Sequence, residues 1–224
     1  GLMIKPMTFD LTGRPGETIE RTIQVSNTRA DKTTATLRVL PLAQGFDGGW
    51  LPVEGDLAQK IDISNLHSCV DWVQLGAPMV ELAAAEAKTT AVNVKIPFSA
   101  RGAYCAALLV ESAAPPRGDQ LQLNFVLRFL ATMRVTVQGP PARERVELTD
   151  AMMSFRPGDE GVPATVYAAP VVKNTGETFA AMGGKLTIFR QAGGKWQRVV
   201  EAAIVERTII PGATIAPSSD LKRR

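Results

Sequence analysis

From Leu121 to Val137 every odd position is apolar: Leu121, Leu123, Phe125, Leu127, Phe129, Ala131, Met133, Val135 and Val137. The even positions carry Gln122, Asn124, Arg128, Thr132, Arg134 and Thr136, with Val126 and Leu130 as apolar exceptions. A period of two sends alternate side chains to opposite faces of an extended chain, so this run is a strand with one face on a core and the other in water. At about 3.3 Å per residue it would reach on the order of 55 Å, far beyond an ordinary strand, which predicts a bend or bulge within it. Such a ribbon must find other strands to pair with.

The same alternation recurs along the chain. Ile19, Ile23 and Val25 share one face of Thr18–Val25; Ala35, Leu37 and Val39 alternate with Thr34, Thr36 and Arg38; Val92, Val94 and Ile96 alternate with Asn93 and Lys95. Turn residues separate these runs at Gly13-Arg14-Pro15-Gly16, Ser26-Asn27-Thr28 and Pro97 to Gly102, where Pro, Gly and Asn fix or permit the dihedrals of a turn. The pattern predicts an all-β sandwich. Gly139-Pro140-Pro141 ends the long ribbon, since two prolines cannot continue a central strand. It divides the chain into a first domain, 1–138, and a second, 142–224.

The second domain restarts the pattern with strands over Val146–Phe155, Thr165–Lys173, Lys185–Arg190, Trp196–Val205 and Arg207–Ile210. Asn-Thr follows a strand in both halves, at Asn27-Thr28 and Asn174-Thr175, which suggests two copies of one kind of domain. About five strands fall short of the roughly seven of an immunoglobulin-like sandwich, so this domain reads as incomplete, truncated or completed from elsewhere. Two stretches depart from the strand pattern. Glu81–Ala87 (ELAAAEA) has the composition of a helical turn. Gly45–Ser68 reads as a long loop, unusual inside a domain and therefore a candidate binding element.

Composition excludes several functions. The 224 residues are 45% hydrophobic and 21% charged, with a net charge of +3 spread over the sequence, which argues against disorder and against a nucleic-acid surface. No apolar run approaches the length of a membrane helix. The chain opens Gly1-Leu2-Met3, and a leading Gly is a common scar of tag removal, which leads to the expectation that an export signal was cut away with the segment upstream.

Reactive constellations are absent from the pattern. His67 is the one histidine; a metal site built on His67, Cys69 and Cys105 lacks a fourth ligand, and His67, Ser68 and Asp71 are too close in sequence to converge on one reacting atom. Gly183-Gly184-Lys185 and Gly193-Gly194-Lys195 lack the spacing of a phosphate loop. Trp50, Trp72 and Trp196 are better suited to packing than to a sugar site. The expectation is no enzyme, no cofactor and no metal. Cys69 and Cys105 are candidates for a disulfide in an exported chain and for two buried thiols otherwise; their spacing leaves both open.

Phe9-x-Leu11-x-x-x-x-Gly16-Glu17-x-Ile19 followed by Val25-Ser26-Asn27, then Lys95-Ile96-Pro97, Arg101 and Tyr104–Val110, and then the Leu121–Val137 ribbon running into prolines, resemble the strand sequence of the periplasmic pilus-assembly chaperones. The layout is also similar to the two-domain WxL-interacting surface proteins. The resemblance implies two immunoglobulin-like β-sandwiches in tandem, in a non-enzymatic, exported protein of the periplasm or cell surface. It implies a protein partner of the cell envelope, pilin-like or a surface protein, captured by β-strand addition along the long ribbon. It further implies basic residues that grip the partner's terminal carboxylate, for which Lys5 and Arg134 match, with Arg128 as competitor. Val126 and Leu130, apolar on the polar face, would fill pockets of the partner. The alternative is a structural or adhesion module that binds glycan, peptidoglycan or a surface protein through Gly45–Ser68.

Overall fold

A computed structural model of the protein describes residues 1–113, 126–158, 160, 165–217 and 219–221. The chain divides into two compact units: Gly1–Ala43 with Pro52–Ala142, and Gln44–Leu51 with Arg143–Arg224. The short piece Gln44–Leu51 thus lies in the first unit's sequence and belongs to the second.

In the first unit the strands are β1 (Leu2–Lys5), β2 (Thr8–Gly13), β3 (Thr18–Asn27), β4 (Thr33–Leu40), β7 (Val73–Leu75), β8 (Met79–Leu82), β9 (Ala87–Lys95), β10 (Gly102–Ala113) and β11 (Leu127–Val137); β5 (Leu42–Gln44) and β6 (Trp50–Pro52) pair with each other. One sheet runs β1-β3-β9-β7 and the other β2-β11-β10-β4-β8. The two bury Ile23, Val25, Val92 and Val94 against Leu37, Leu108, Met133 and Val135. These are the alternate apolar positions of each strand, and every pair turned inward removes apolar area from water at roughly 25 cal/mol per Å². β1 and β2 lie in different sheets, joined through the cis Lys5–Pro6 bond.

β10 departs from simple alternation. Ala106, Leu108 and Val110 face the core between the sheets. Ala103, Cys105, Ala107 and Leu109 face the other way and are just as buried. On that face the Cys105 thiol points to the Leu42 carbonyl of β5, while at the edge of β10 the Cys105 N–H donates to the His67 carbonyl at 2.8 Å and the Cys69 N–H donates to the Cys105 carbonyl at 3.1 Å. A strand covered on both faces reads as a continuous apolar run, as Ala103–Val110 does.

Two expectations are corrected here. Glu81–Ala87 is no helical turn: Val80 and Leu82 alternate inward with Met79 and Glu81 outward in β8, and Ala83–Glu86 form a tight turn in which Ala85 takes a φ of 55°. Strand pairing with Thr33–Thr36 of β4 overrides the helix propensity of the alanines. Gly45–Ser68 is no open loop: it carries β6, the helix α1 (Gly55–Lys60) and a 3-10 turn at Ile63–Asn65. The expected bend falls nowhere in β11, whose ladder with β10 runs from Leu127–Ser112 to Val137–Gly102 without a register shift. Leu121 to Phe125 lie outside the described residues.

In the second unit β12 (Val146–Arg156), β13 (Thr165–Asn174) and β16 (Thr214–Ile215) form one sheet, with β17 (Ser219–Leu221) also on β13. β14 (Ala180–Ala192) and β15 (Lys195–Ile209) make a separate hairpin, β15 uniting the two strands expected over 196–210. Its buried residues include Val172, Ile209 and Ile215, while Leu148, Met153 and Phe155 on β12 stay exposed.

The two halves share one polar device. The buried Asn27 carboxamide donates to the Asp31 and Ala83 carbonyls at 2.7 and 2.8 Å and accepts from the Arg29 N–H. Asn174 donates to the Thr178 and Ile209 carbonyls at 2.8 and 3.0 Å and accepts from the Gly176 N–H. Each uses its amide for the carbonyl four residues on and for one distant in sequence, and its oxygen for the N–H two residues on. The repeated Asn-Thr of the sequence thus marks equivalent corners of two related domains.

Candidate functional site: the free edge of β11

β11 has two neighbours in its sheet, β10 along its whole length and β2 along part of it. β2 runs parallel to β11 and begins at Thr8, paired with Thr132. The Thr132 N–H donates to the Met7 carbonyl at 3.0 Å, which fixes the even residues of β11 as those whose backbone groups point toward β2. Arg128 and Leu130 therefore direct their N–H and C=O to the same side, but β2 does not extend that far. Among the described residues, Leu127–Ala131 has a ladder on the β10 side only. Leu127, Phe129 and Ala131 use their backbone groups on β10; Arg128 and Leu130 hold theirs toward the open side. An edge with unpaired donors and acceptors is a template for another strand.

The side chains on this stretch follow from the same parity. Leu130 is half-buried and lies across from Leu109; Val126, just before the strand, is 56% exposed. Arg128 lies across from Glu111 and is held in a closed ring of four charges. Its guanidinium reaches Glu111 at 2.6 Å and Glu54 at 2.9 Å, and the same carboxylates hold Arg38 at 2.7 and 3.0 Å. Glu111, then Glu54, hold the Arg38 guanidinium protonated beyond its ordinary range. Glu54 stands next to α1, so the ring ties the excursion to β4, β10 and β11. Arg128 thus spends its charge inside the domain.

Arg134 pairs with Asp10, its neighbour in the parallel ladder, through two of its three guanidinium nitrogens, Nε and Nη2, the latter at 2.8 Å. Lys5 is exposed on β1, in the other sheet, across from Gln24. Val126, Arg128, Leu130 and Arg134 are therefore gathered along β11, whereas Lys5 belongs to a different sheet. Asp10, Glu54 and Glu111 were not singled out from the sequence; each is a lone acidic residue far in sequence from the arginine it holds. Because the Arg134–Asp10 pair is partly exposed, Arg134→Ala is expected to cost no more than about 1 kcal/mol, shrinking further at high salt, as read by urea denaturation.

The remaining candidates are structural. Cys69 and Cys105 are free thiols. Cys69 sits in the core between the sheets, and Cys105 is on the opposite face of β10, toward Leu42. Burial raises the Cys69 pKa well above the ordinary thiol value and pushes that of Cys105 up to about 12. Neither thiol should react with iodoacetamide at pH 8 in the folded chain, and both should react in denaturant, as counted by mass spectrometry. Since both folded pKa values are raised, their stabilising effect is complete below the unfolded thiol pKa and is lost as pH rises beyond it. Unfolding free energy should fall above pH 9 more steeply in this chain than in a Cys69→Ala/Cys105→Ala variant. His67 and Trp72 pack on Tyr104 at 5.6 and 4.3 Å between ring centres. Among the described residues, no three His, Cys, Asp or Glu side chains group as a metal site.

No protein-family model matches this sequence, and no curated protein sequence does. Solved structures do. A chain of the chaperone–tip adhesin complex of CFA/I fimbriae biogenesis is similar with a TM-score of 0.51 and 11% identity, over 96% of this chain and 84% of that one. The fold is that of the pilus-assembly chaperones. The class 5 fimbriae chaperone CfaA has 13% identity, coverage of 96% and 84%, and a TM-score of 0.48. The YadV chaperone has 10% identity, coverage of 100% and 87%, and the same TM-score. In this two-domain immunoglobulin-like fold, β11 is an inner strand whose first residues are paired, among the described residues, on the β10 side alone.

Proposed function

We propose that the protein is a non-enzymatic assembly factor of the cell envelope that captures a partner by β-strand addition on β11. The observation that carries this reading is the ladder register: β2 begins at Thr8, leaving the Arg128 and Leu130 backbone groups directed at a strand position that no described residue fills. The partner is a subunit of the kind suggested by the chaperone–tip adhesin complex to which this chain is similar, an exported β-domain short of one strand. Main-chain hydrogen bonds supply affinity, and Val126 and Leu130 supply apolar contacts. The site of action is the periplasm. No helix among the described residues is long and apolar enough to cross a membrane.

The carboxylate grip is assigned to Lys5, with Arg134 available once Asp10 releases it; Arg128 is committed to Glu54 and Glu111. The test is co-purification with a co-expressed, exported pilin-like subunit. Val126→Asp/Leu130→Asp should abolish capture, since an uncompensated carboxylate in a closing interface costs several kcal/mol. Undiminished capture by a folded double variant would refute strand addition at this edge.

A further inference from the structure

The β14–β15 hairpin has no role in the reading above, and its distal half is unlike the rest of the molecule. From Phe189 to Val199 every residue except Ala192 is exposed, so among the described residues no layer covers either face. Three large apolar side chains stand in this stretch: Trp196 is 69% exposed, Val199 53% and Phe189 52%. The register pairs Phe189 with Arg198 and Gln191 with Trp196, placing both aromatic rings and Arg198 on one face. Phe189 and Trp196 line a shallow depression there. Val199 is left unpaired where the register shifts between Ile188 and Phe189. The turn is Gly193-Gly194, both in the left-handed region at φ 58° and 74°, which glycine adopts without strain.

The charge on this segment is one-sided. Between Lys185 and Glu201 the cations are Lys185, Arg190, Lys195 and Arg198, and Glu201 is the one carboxylate. Lys185 and Arg198 share Glu201 at 3.1 and 3.5 Å; Arg190 reaches the Gln197 amide oxygen.

We propose that this hairpin tip docks on an anionic lipid surface. Tryptophan with Phe and flanking Arg and Lys is the combination that settles at the boundary between headgroups and acyl chains. At the tip, Phe189–Val199, no described strand pairs the outer edges; such a ribbon cannot enter hydrocarbon, but at headgroup depth water and phosphates satisfy those edges while the rings reach inward. Anionic headgroups complement the excess of cations. A ribbon covered on neither face is only marginally stable alone, so contact with a surface also supplies the layer it lacks.

The test uses the full chain and sedimented vesicles of phosphatidylcholine, with and without phosphatidylglycerol. The protein should partition to the anionic vesicles and not to the neutral ones, and added salt should release it. Arg190→Gln/Lys195→Gln/Arg198→Gln should lower partitioning on the order of a hundredfold. Phe189→Ala/Trp196→Ala should lower it on the order of tenfold, with circular dichroism unchanged in both variants. Equal binding to neutral vesicles, no binding to either, or binding that both folded variants retain would overturn the proposal. So would self-association that needs Trp196 and occurs without vesicle binding, which would make the tip a contact between copies of the chain.

Discussion

Replacing Asn27 by Asp should destabilise the first domain by about 3 kcal/mol or more at neutral pH, as measured by urea denaturation. Asn27 is 2% exposed, and its amide is the donor to the Asp31 and Ala83 carbonyls. A carboxylate there removes both donors and turns negative oxygen toward two carbonyl oxygens in a buried site. Leaving buried acceptors unpaired costs about 1–3 kcal/mol each, before any charge is counted. The variant should show its own pH signature. The buried Asp would bind its proton more tightly folded than unfolded, so its pKa is raised on folding. Stability should be greatest below the unfolded Asp pKa and fall as pH rises beyond it, opposite to the usual carboxylate behaviour. Asn174→Asp should act in the same way on the second domain, because its amide holds the Thr178 and Ile209 carbonyls. A change under about 0.5 kcal/mol in either variant would mean that the corner is held by other contacts.

The second large effect is on binding alone. Leu130→Pro deletes an N–H that points to the open side of β11, and no bond of the β10 ladder depends on it. Proline is tolerated on strand edges for that reason. Compared with Leu130→Ala, which removes the same packing, Leu130→Pro should lower affinity for the captured subunit on the order of tenfold or more, by loss of a main-chain bond and by the ring's obstruction of the incoming strand. Its stability should stay within about 1 kcal/mol of the Ala variant. Ala131→Pro, one residue on, deletes an N–H that bonds β10 and should cost about 3 kcal/mol or more in folding. Parity along one strand thereby separates a binding donor from a folding donor. Titration calorimetry and denaturation of the same three variants check it.

The strands with one face in water were legible because burial follows residue type with a period of two: Ile19, Ile23 and Val25 in β3, and Phe129 to Val137 in β11, point where the alternation placed them. Glu81–Ala87 misled because alanines carry strong helix propensity and weak information about pairing; Val80 and Leu82 already showed the strand period. Ala103–Val110 lacks alternation, and that is itself the mark of a strand covered on both faces, although what covers it is set by contacts some forty or more residues apart. At the candidate site Val126, Arg128, Leu130 and Arg134 were visible as neighbours on one ribbon. Their partners were not, since Glu54, Glu111 and Asp10 meet them only through sheet order. The open edge is likewise invisible in residue types. It depends on where β2 stops, and a stopping point is a property of register.

Capture on β11 needs the strand position beside Arg128 and Leu130, which no described residue fills, and amide hydrogen exchange reads it residue by residue. In the free chain the Arg128 and Leu130 amides should exchange quickly while those of Phe129 and Ala131 are protected by β10; in the complex with the captured subunit, Arg128 and Leu130 should slow by on the order of a hundredfold or more. Protection of Arg128 and Leu130 already in the free chain, or their continued fast exchange in a saturated complex, would contradict strand addition on β11.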